Sequence, residues 1–386
     1  MRVISRAVAG VAIVVLGGSC SSSAQQTSIA PTTKLAGATT TTGMSADKAA
    51  YAVKGPYKVG YTTLRMVDRY VDVWYPADES ATASRPKATY DQKTPLPRDL
   101  RHFVPKAFNT VVTMEAYRNV AGSSKGPFPV VLFSHGAPAV RMASSALDSG
   151  IASWGFVVVS VDYVERGEVT QLPGQKPLTL DPPRDRRLML ASLDLVTADN
   201  GDSRSLLHGL VDSTRVAAVG HSAGGTTAFD ALSDPRVKAA IGWAPANPAP
   251  PPGNKPIMII GASKDIAVTP TVLTKNYATL QSPKRFVEIG NAGHNSFTDL
   301  CVITRSGGGL VGYAIKNHLV APGLAPLLLN GCGRTNLTPE AFFPVAQHFT
   351  VAELRAELGI DPQPVGLADS ITSAFPGVSV TYRHKP

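Results

Sequence analysis

No stretch of this chain is apolar for long enough to cross a bilayer. The run from Ala7 to Leu16 falls well short of a membrane-spanning helix. The eight histidines show no metal-ligand spacing, so no zinc site is expected. There is no basic run either. The 37 lysines and arginines exceed the 28 acids by +9, but they are spread along the chain among scattered aromatics, which argues against nucleic-acid binding. Weak attraction to anionic envelope polymers or lipids is all that such a charge implies. Gly307-Gly308-Gly309 has no Lys-Ser/Thr after it and no strand leading in, so it is not a phosphate loop. Internal repeats are absent. Cysteine is scarce, with three in 386 residues: Cys20, Cys301 and Cys332.

What is present centres on Gly220-His221-Ser222-Ala223-Gly224-Gly225, a G-x-S-x-G sequence that follows the apolar run Val216 to Val219. A buried strand, a sharp reversal and a helix start are the setting of a nucleophile elbow. Gly220 and Gly224 flank a serine whose backbone must be strained, and a Cβ there would strike the neighbouring strand or helix. A serine hydroxyl is a weak nucleophile near neutral pH and needs a base. Pro256 to Gly261 reads as a buried strand, and Asp265 lies in the loop leaving it. Arg285 to Ile289 reads as another strand, running into the small-residue loop that carries His294. The chain order Ser222, Asp265, His294 is that of hydrolases with a parallel sheet. Plainer readings exist: a turn serine, a helix-capping aspartate, a surface histidine.

Two rival acids fit less well, because Asp234-Pro235 reads as a turn and Asp299 follows the histidine. The strand Phe128 to Ser134 ends in His135-Gly136-Ala137-Pro138, so the backbone N–H groups of Ala137 and Ala223 are the expected oxyanion donors. Each such donor stabilises a transition state by about 3 kcal/mol. His135 and His221 sit beside these backbone positions and are expected to be structural. Trp243, at the end of the strand Ala239 to Ile241, is a candidate pocket wall, with core packing the other reading.

These motifs resemble the α/β-hydrolase superfamily, a mainly parallel doubly wound sheet with helices on both faces. Within it the chain is similar to the branch of dienelactone-hydrolase-like proteins and platelet-activating-factor acetylhydrolases, with polyester-cleaving cutinases as relatives. The resemblance runs from about Tyr57 to Leu358. It includes Val71-Asp72-Val73-Trp74-Tyr75-Pro76-Ala77, the His135-Gly136 turn, Trp154-Gly155-Phe156 feeding a strand, and Arg184-Asp185-Arg186-Arg187 ahead of the nucleophile strand. It implies cofactor-free hydrolysis of carboxylic esters. Dienelactone hydrolases proper use cysteine where this chain has Ser222. Polyester-cleaving relatives often carry Met after the nucleophile and an aromatic after the oxyanion-loop glycine. Ala223 and Ala137-Pro138 stand there instead, which points away from plastic or cutin as substrate.

Arg2 and Arg6 precede the apolar run that ends in Leu16-Gly17-Gly18-Ser19-Cys20, and this resembles a lipoprotein signal in residues 1–20. The expectation is export and lipidation of Cys20, anchoring the protein on the outer face of a membrane, with soluble secretion as the other possibility. Residues 21–50 are too polar for a core and read as a Ser/Thr-rich tether. Residues 51–386 are left for the hydrolase domain, in which Cys301 and Cys332 form an even pair suited to an oxidising compartment. Lys87 to Ala121, read as irregular, and Val164 to Pro183 are each expected to be a lid, a pocket wall or a plain surface loop, and the proline run Ala244 to Asn254 rims the same edge. The function expected is a serine esterase or lipase-like hydrolase acting on lipid or small-molecule esters. A thioesterase, acyltransferase or lactonase would use the same triad. The readings from other classes are a catalytically inactive envelope binding lipoprotein and a serine peptidase.

Overall fold

The computed structural model describes residues 44–171, 175–246, 253–320 and 323–386. The signal sequence, Cys20 and most of the tether lie outside them. Residues 44–50, expected to belong to the tether, are seated on the domain. Ala49 and Ala50 pack against the core, and the Ala46 carbonyl accepts a hydrogen bond from the Ala368 N–H at 2.9 Å.

The strands in chain order are β1 (Lys58–Arg65), β2 (Tyr70–Ala77), β3 (Lys87–Asp91), β4 (Val111–Arg118), β5 (Phe128–Ser134), β6 (Val157–Val161), β7 (Val211–His221), β8 (Val237–Trp243), β9 (Ile257–Ala262), β10 (Lys284–Ile289) and β11 (Val380–Lys385). They form one sheet in the order β11-β10-β9-β8-β7-β5-β6-β2-β1-β4-β3. From β6 through β5, β7, β8 and β9 to β10, every neighbouring pair is parallel. The flanking pairs β2–β6, β1–β2, β3–β4 and β10–β11 are antiparallel. Parallel strands covered on both faces need continuous apolar runs. β5, β6 and β9 are buried along their whole lengths, as the sequence predicts.

Alternate side chains of each central strand enter opposite cores, the period-2 rule of a pleated sheet. Val131 and Phe133 of β5 join one core; Val130 and Leu132 join the other. The helices are α1 (Glu79–Thr82), α2 (Ser145–Ser153), α3 (Pro182–Gly201), α4 (Ala223–Asp230), α5 (Pro270–Thr279), α6 (Leu300–Arg305), α7 (Gly309–Lys316), α8 (Ala325–Leu328) and α9 (Pro339–Glu357). α2 and α9 cover the first face with Leu147, Ile151, Phe342 and Phe349. α3, α4 and α5 cover the second with Met189, Leu193, Phe229 and Leu273. This is the expected doubly wound architecture. α3 starts where the Asp181 carboxylate accepts from the Arg184 N–H and Pro182 fills the first turn.

One expectation is corrected. Lys87 to Ala121 is not irregular throughout, because β3 and β4 lie within it and build the far edge of the sheet. Their burial alternates with charged, exposed positions, an edge-strand pattern that its prolines and arginines obscured. In the middle of the sheet, β7 and β6 flank β5, so the strand order reverses there. The crevice at such a switch point, outside the carboxyl ends of the strands, is where ligands bind in open α/β sheets.

Asp148 in α2 is wholly buried, and among the described residues neither carboxylate oxygen meets a donor. Burial, with Asp299 and Asp72 nearby, raises its pKa well above the ordinary carboxylate range. The folded state therefore keeps the proton after the unfolded chain has lost it near pH 4. Stability must fall as pH rises from there toward the folded-state pKa. Asp148→Asn removes this titration, so its melting temperature relative to wild type should climb between pH 4 and pH 8. The slope is bounded by one proton, about 1.4 kcal/mol per pH unit. Thermal melts across that range check it; a difference independent of pH contradicts it.

Candidate active site

Ser222 follows the last residue of β7 and caps α4, with φ 55° and ψ −120°. A non-glycine residue with this backbone is strained and persists only where its surroundings hold it. Those surroundings are tight. A Cβ at Gly220 would lie 2.0 Å from the Gly224 carbonyl oxygen, and one at Gly224 would lie 1.9 Å from the Ser134 carbonyl oxygen. Only glycine fits either place, so β7, α4 and the end of β5 close around the serine. The Ser222 N–H donates to the Trp243 carbonyl at 2.8 Å, and its own carbonyl accepts from Gly225 at 2.9 Å and Ala246 at 3.1 Å.

Asp265 leaves β9 buried. Its Oδ1 accepts the N–H groups of Ala267 and Val268, each at 2.8 Å, which fixes the carboxylate. Its Oδ2 accepts from Nδ1 of His294 at 2.7 Å. With the proton on Nδ1, Nε2 is the basic nitrogen of the ring. The structure thus joins the aspartate and histidine singled out in the sequence, on loops leaving strands of the sheet that carries Ser222. The rival acids are engaged elsewhere. Asp234 pairs with Arg236 in its turn, at 2.9 Å. Asp299 accepts from the Ser145 hydroxyl at 2.6 Å, the Ser145 and Ala146 N–H groups, and the Tyr90 hydroxyl. Burial pushes Asp299 up to about 6 against those donors.

The oxyanion loop sits against the elbow: a Cβ on Gly136 would be 3.3 Å from Ser222 Cβ. The N–H groups of Ala137 and Ala223, the expected donors, have no hydrogen-bond partner among the described residues, and Ala223 opens α4. Anions are favoured at such a helix start. His135 and His221 are braces. The Tyr163 N–H donates to His135 Nε2 at 3.1 Å, and His135 Nδ1 donates to the Gly136 carbonyl at 2.8 Å. Burial, helped by Arg166, holds His135 down to about 3, so it stays neutral. His221 Nε2 donates to the carbonyl of His294 at 2.9 Å, tying the elbow to the histidine loop.

Trp243, a candidate pocket wall, belongs to the core. It is fully buried, its indole N–H donates to Thr350 at 3.0 Å, and its ring stacks on Phe297 with centroids 5.9 Å apart. It has no surface to offer a substrate.

Asn330 is the residue that sequence reading missed. Its Oδ1 accepts from the His294 N–H at 2.7 Å and the Ile266 N–H at 3.2 Å, while its Nδ2 donates to the Lys264 carbonyl at 2.9 Å. One amide therefore clamps the aspartate loop to the histidine loop. The Cys301–Cys332 disulfide closes the segment that carries it, spanning 31 residues. No motif marks such a residue; only its nearness to a cysteine hinted at it.

The sequence profile of the PET hydrolase-like family matches residues 121–304, a range that includes Ser222, Asp265 and His294. That of platelet-activating factor acetylhydrolase, isoform II, matches residues 42–176, which hold the oxyanion loop. A bis(hydroxyethyl) terephthalate hydrolase of Streptomyces coelicolor is 33% identical over 181 residues, 45% of this chain and 53% of that protein. A cutinase of Thermobifida alba is 30% identical over 174 residues, 43% of this chain and 53% of that protein. The chain thus spans about half the length of these curated relatives. A ferulic acid esterase structure from Streptomyces cinnamoneus superposes with a TM-score of 0.61 at 23% identity, covering 87% of this chain and 100% of the other; it bears on the fold.

The chain has the α/β-hydrolase fold. Its sequence is similar to the platelet-activating-factor acetylhydrolase and cutinase-related branch of proteins with that fold.

Asn330→Ala releases the clamp without touching the triad. Turnover of an ester substrate should fall about 100-fold, the penalty of a misplacement near 1 Å, with little change in KM. Steady-state kinetics check this, and an unchanged kcat contradicts it. The disulfide contributes separately. Cys301→Ser with Cys332→Ser should lower stability by about 3–4 kcal/mol for a loop of this length, measurable by denaturant unfolding.

Proposed function

We propose that the chain is an exported serine hydrolase that cleaves carboxylic esters through Ser222, His294 and Asp265. The observation that carries this reading is the 2.7 Å hydrogen bond from His294 to a fully engaged Asp265, on the sheet whose strained elbow presents Ser222. Ser222 Oγ attacks the ester carbonyl carbon while His294 Nε2 takes its proton. The carbonyl π bond opens, and the oxyanion is received by the N–H groups of Ala137 and Ala223. The oxyanion collapses, the C–O bond to the alcohol breaks, and His294 gives its proton to the leaving alkoxide. Water, deprotonated by the same ring, then hydrolyses the acyl-enzyme and restores Ser222. Asp265 keeps the imidazole oriented and stabilises its cationic form throughout. No cofactor or metal enters this route.

Ester hydrolysis is favoured over the other reactions of the same triad by the relatives named as a terephthalate-ester hydrolase and cutinases. In this reading residues 1–20 direct export, lipidated Cys20 anchors the protein on a membrane, residues 21–43 space it, and the hydrolase domain follows. The Cys301–Cys332 disulfide suits that oxidising setting. No helix among the described residues is long and apolar enough to cross a membrane.

p-Nitrophenyl esters from acetate to palmitate, given to wild type and to Ser222→Ala, test the proposal. Wild type should turn over part of the series, and the substitution should lower kcat by about 10⁶-fold. Equal rates in the two proteins would sink it and bring forward the binding lipoprotein.

A further inference from the structure

A second feature lies beside the triad. The oxyanion loop, the histidine loop and β3 enclose a small cavity of about 50 Å³. Ala139 lines it two residues past Ala137, and Asn295 lines it next to His294, so the cavity adjoins both loops of the candidate site. It is large enough for one compact polar group. Most of its polar walls are already engaged. Tyr90 donates to Asp299 at 3.1 Å, Gln92 accepts the Leu310 N–H at 2.9 Å, Thr298 donates to the Asn295 carbonyl at 2.9 Å, and the Asn295 amide donates to the Leu327 carbonyl at 2.8 Å.

Glu168 differs. It follows Gly167, which bridges to Ala139 of the oxyanion loop, so its position is fixed relative to the site. Among the described residues its carboxylate has no hydrogen-bond or ion partner. The nearby cations are taken: Arg69 by Asp68 and Glu165, Arg141 by Asp72 and Asp162, and Arg166 by Asp185. Half-buried in the cavity wall, its carboxylate is an acceptor for which the described residues supply no donor, so a ligand group there can supply one.

We propose that Glu168 is a specificity-determining residue, which receives a compact hydrogen-bond donor of the ester substrate, a terminal hydroxyl or primary ammonium, in the cavity beside the oxyanion loop. The assignment rests on the ester-hydrolase reading. Burial, with the Asp162 charge adding to it, pushes the Glu168 carboxyl up to about 7. Asp162 after β6 and Tyr90 of β3 beside it are acids, and the nearby arginines are paired with other carboxylates, so ionisation leaves a negative charge with no partner of its own. Above that pH the site favours an ammonium; below it the protonated acid still pairs with a hydroxyl.

The test uses isosteric esters differing only in a terminal methyl, hydroxyl or ammonium, placed in one series on the acyl chain and in another on the alcohol. The readout is the ratio of kcat/KM for the polar ester to that for its methyl partner, which cancels any protonation of the triad. In one series wild type should prefer the polar ester by about 10-fold or more, the range of a charge-assisted hydrogen bond. For the ammonium ester the ratio should rise as pH passes through about 7. Glu168→Gln should abolish that pH dependence and bring the ammonium ratio near one, and Glu168→Leu should remove the hydroxyl preference as well. Turnover without discrimination in wild type, or discrimination unchanged in both variants, overturns the assignment of Glu168 alone. No turnover of any ester, in wild type as in Ser222→Ala, overturns the ester reading and the assignment with it.

Discussion

The left-handed backbone of Ser222 is the constraint on which the rest of the site depends. At φ 55° the serine is held by contacts that leave no room for a Cβ at Gly220 or Gly224. Because those contacts run to α4 and to the end of β5, the elbow fixes three elements at once: the strand that presents the serine, the helix whose first N–H groups face outward, and the loop of Ala137. Local strain of order 1–3 kcal/mol is retained only where a stiff sheet over-determines it. Here the sheet is the six parallel strands from β6 to β10, buried on both faces.

Around that rigid centre the acid and base are held by looser means. Asp265 is fixed by two backbone N–H groups, and the loop of His294 is anchored in the core by Ala292 and Phe297. It is positioned from outside by three links: the His221 ring on the His294 carbonyl, the Asn330 amide across both loops, and the disulfide behind them. Asp299 adds a fourth, tying the residues just past the histidine to the start of α2. The precision of the proposed triad is therefore divided, with Ser222 set by the sheet and His294 set by a segment of α6 to α8 braced against it.

Much of this was legible in the residues. Buried parallel strands must be continuous apolar runs, so β5, β6, β7 and β9 could be placed, and the loops after them could be searched for chemistry. The elbow announced itself through glycines that steric crowding demands. Other features had no such signature. Asn330 makes its contacts across sequence distances of 36 and more, which no local pattern encodes. Trp243 at a strand end is written the same way whether it faces a pocket or the core, and only Thr350 and Phe297 settle its place. β3 and β4 were hidden because edge strands carry charged residues on their exposed face. Residues 44–50 looked like tether because small alanines pack as readily as they dangle.

The central claim is that Ser222 is made nucleophilic by His294. Labelling with a fluorophosphonate, followed by peptide mapping, tests it most directly, since the reagent needs an activated serine and no particular substrate. The account predicts a single adduct on Ser222 that is lost in His294→Ala and forms far more slowly in Asp265→Ala. No adduct, an adduct on another serine, or labelling at an unchanged rate in His294→Ala would contradict it.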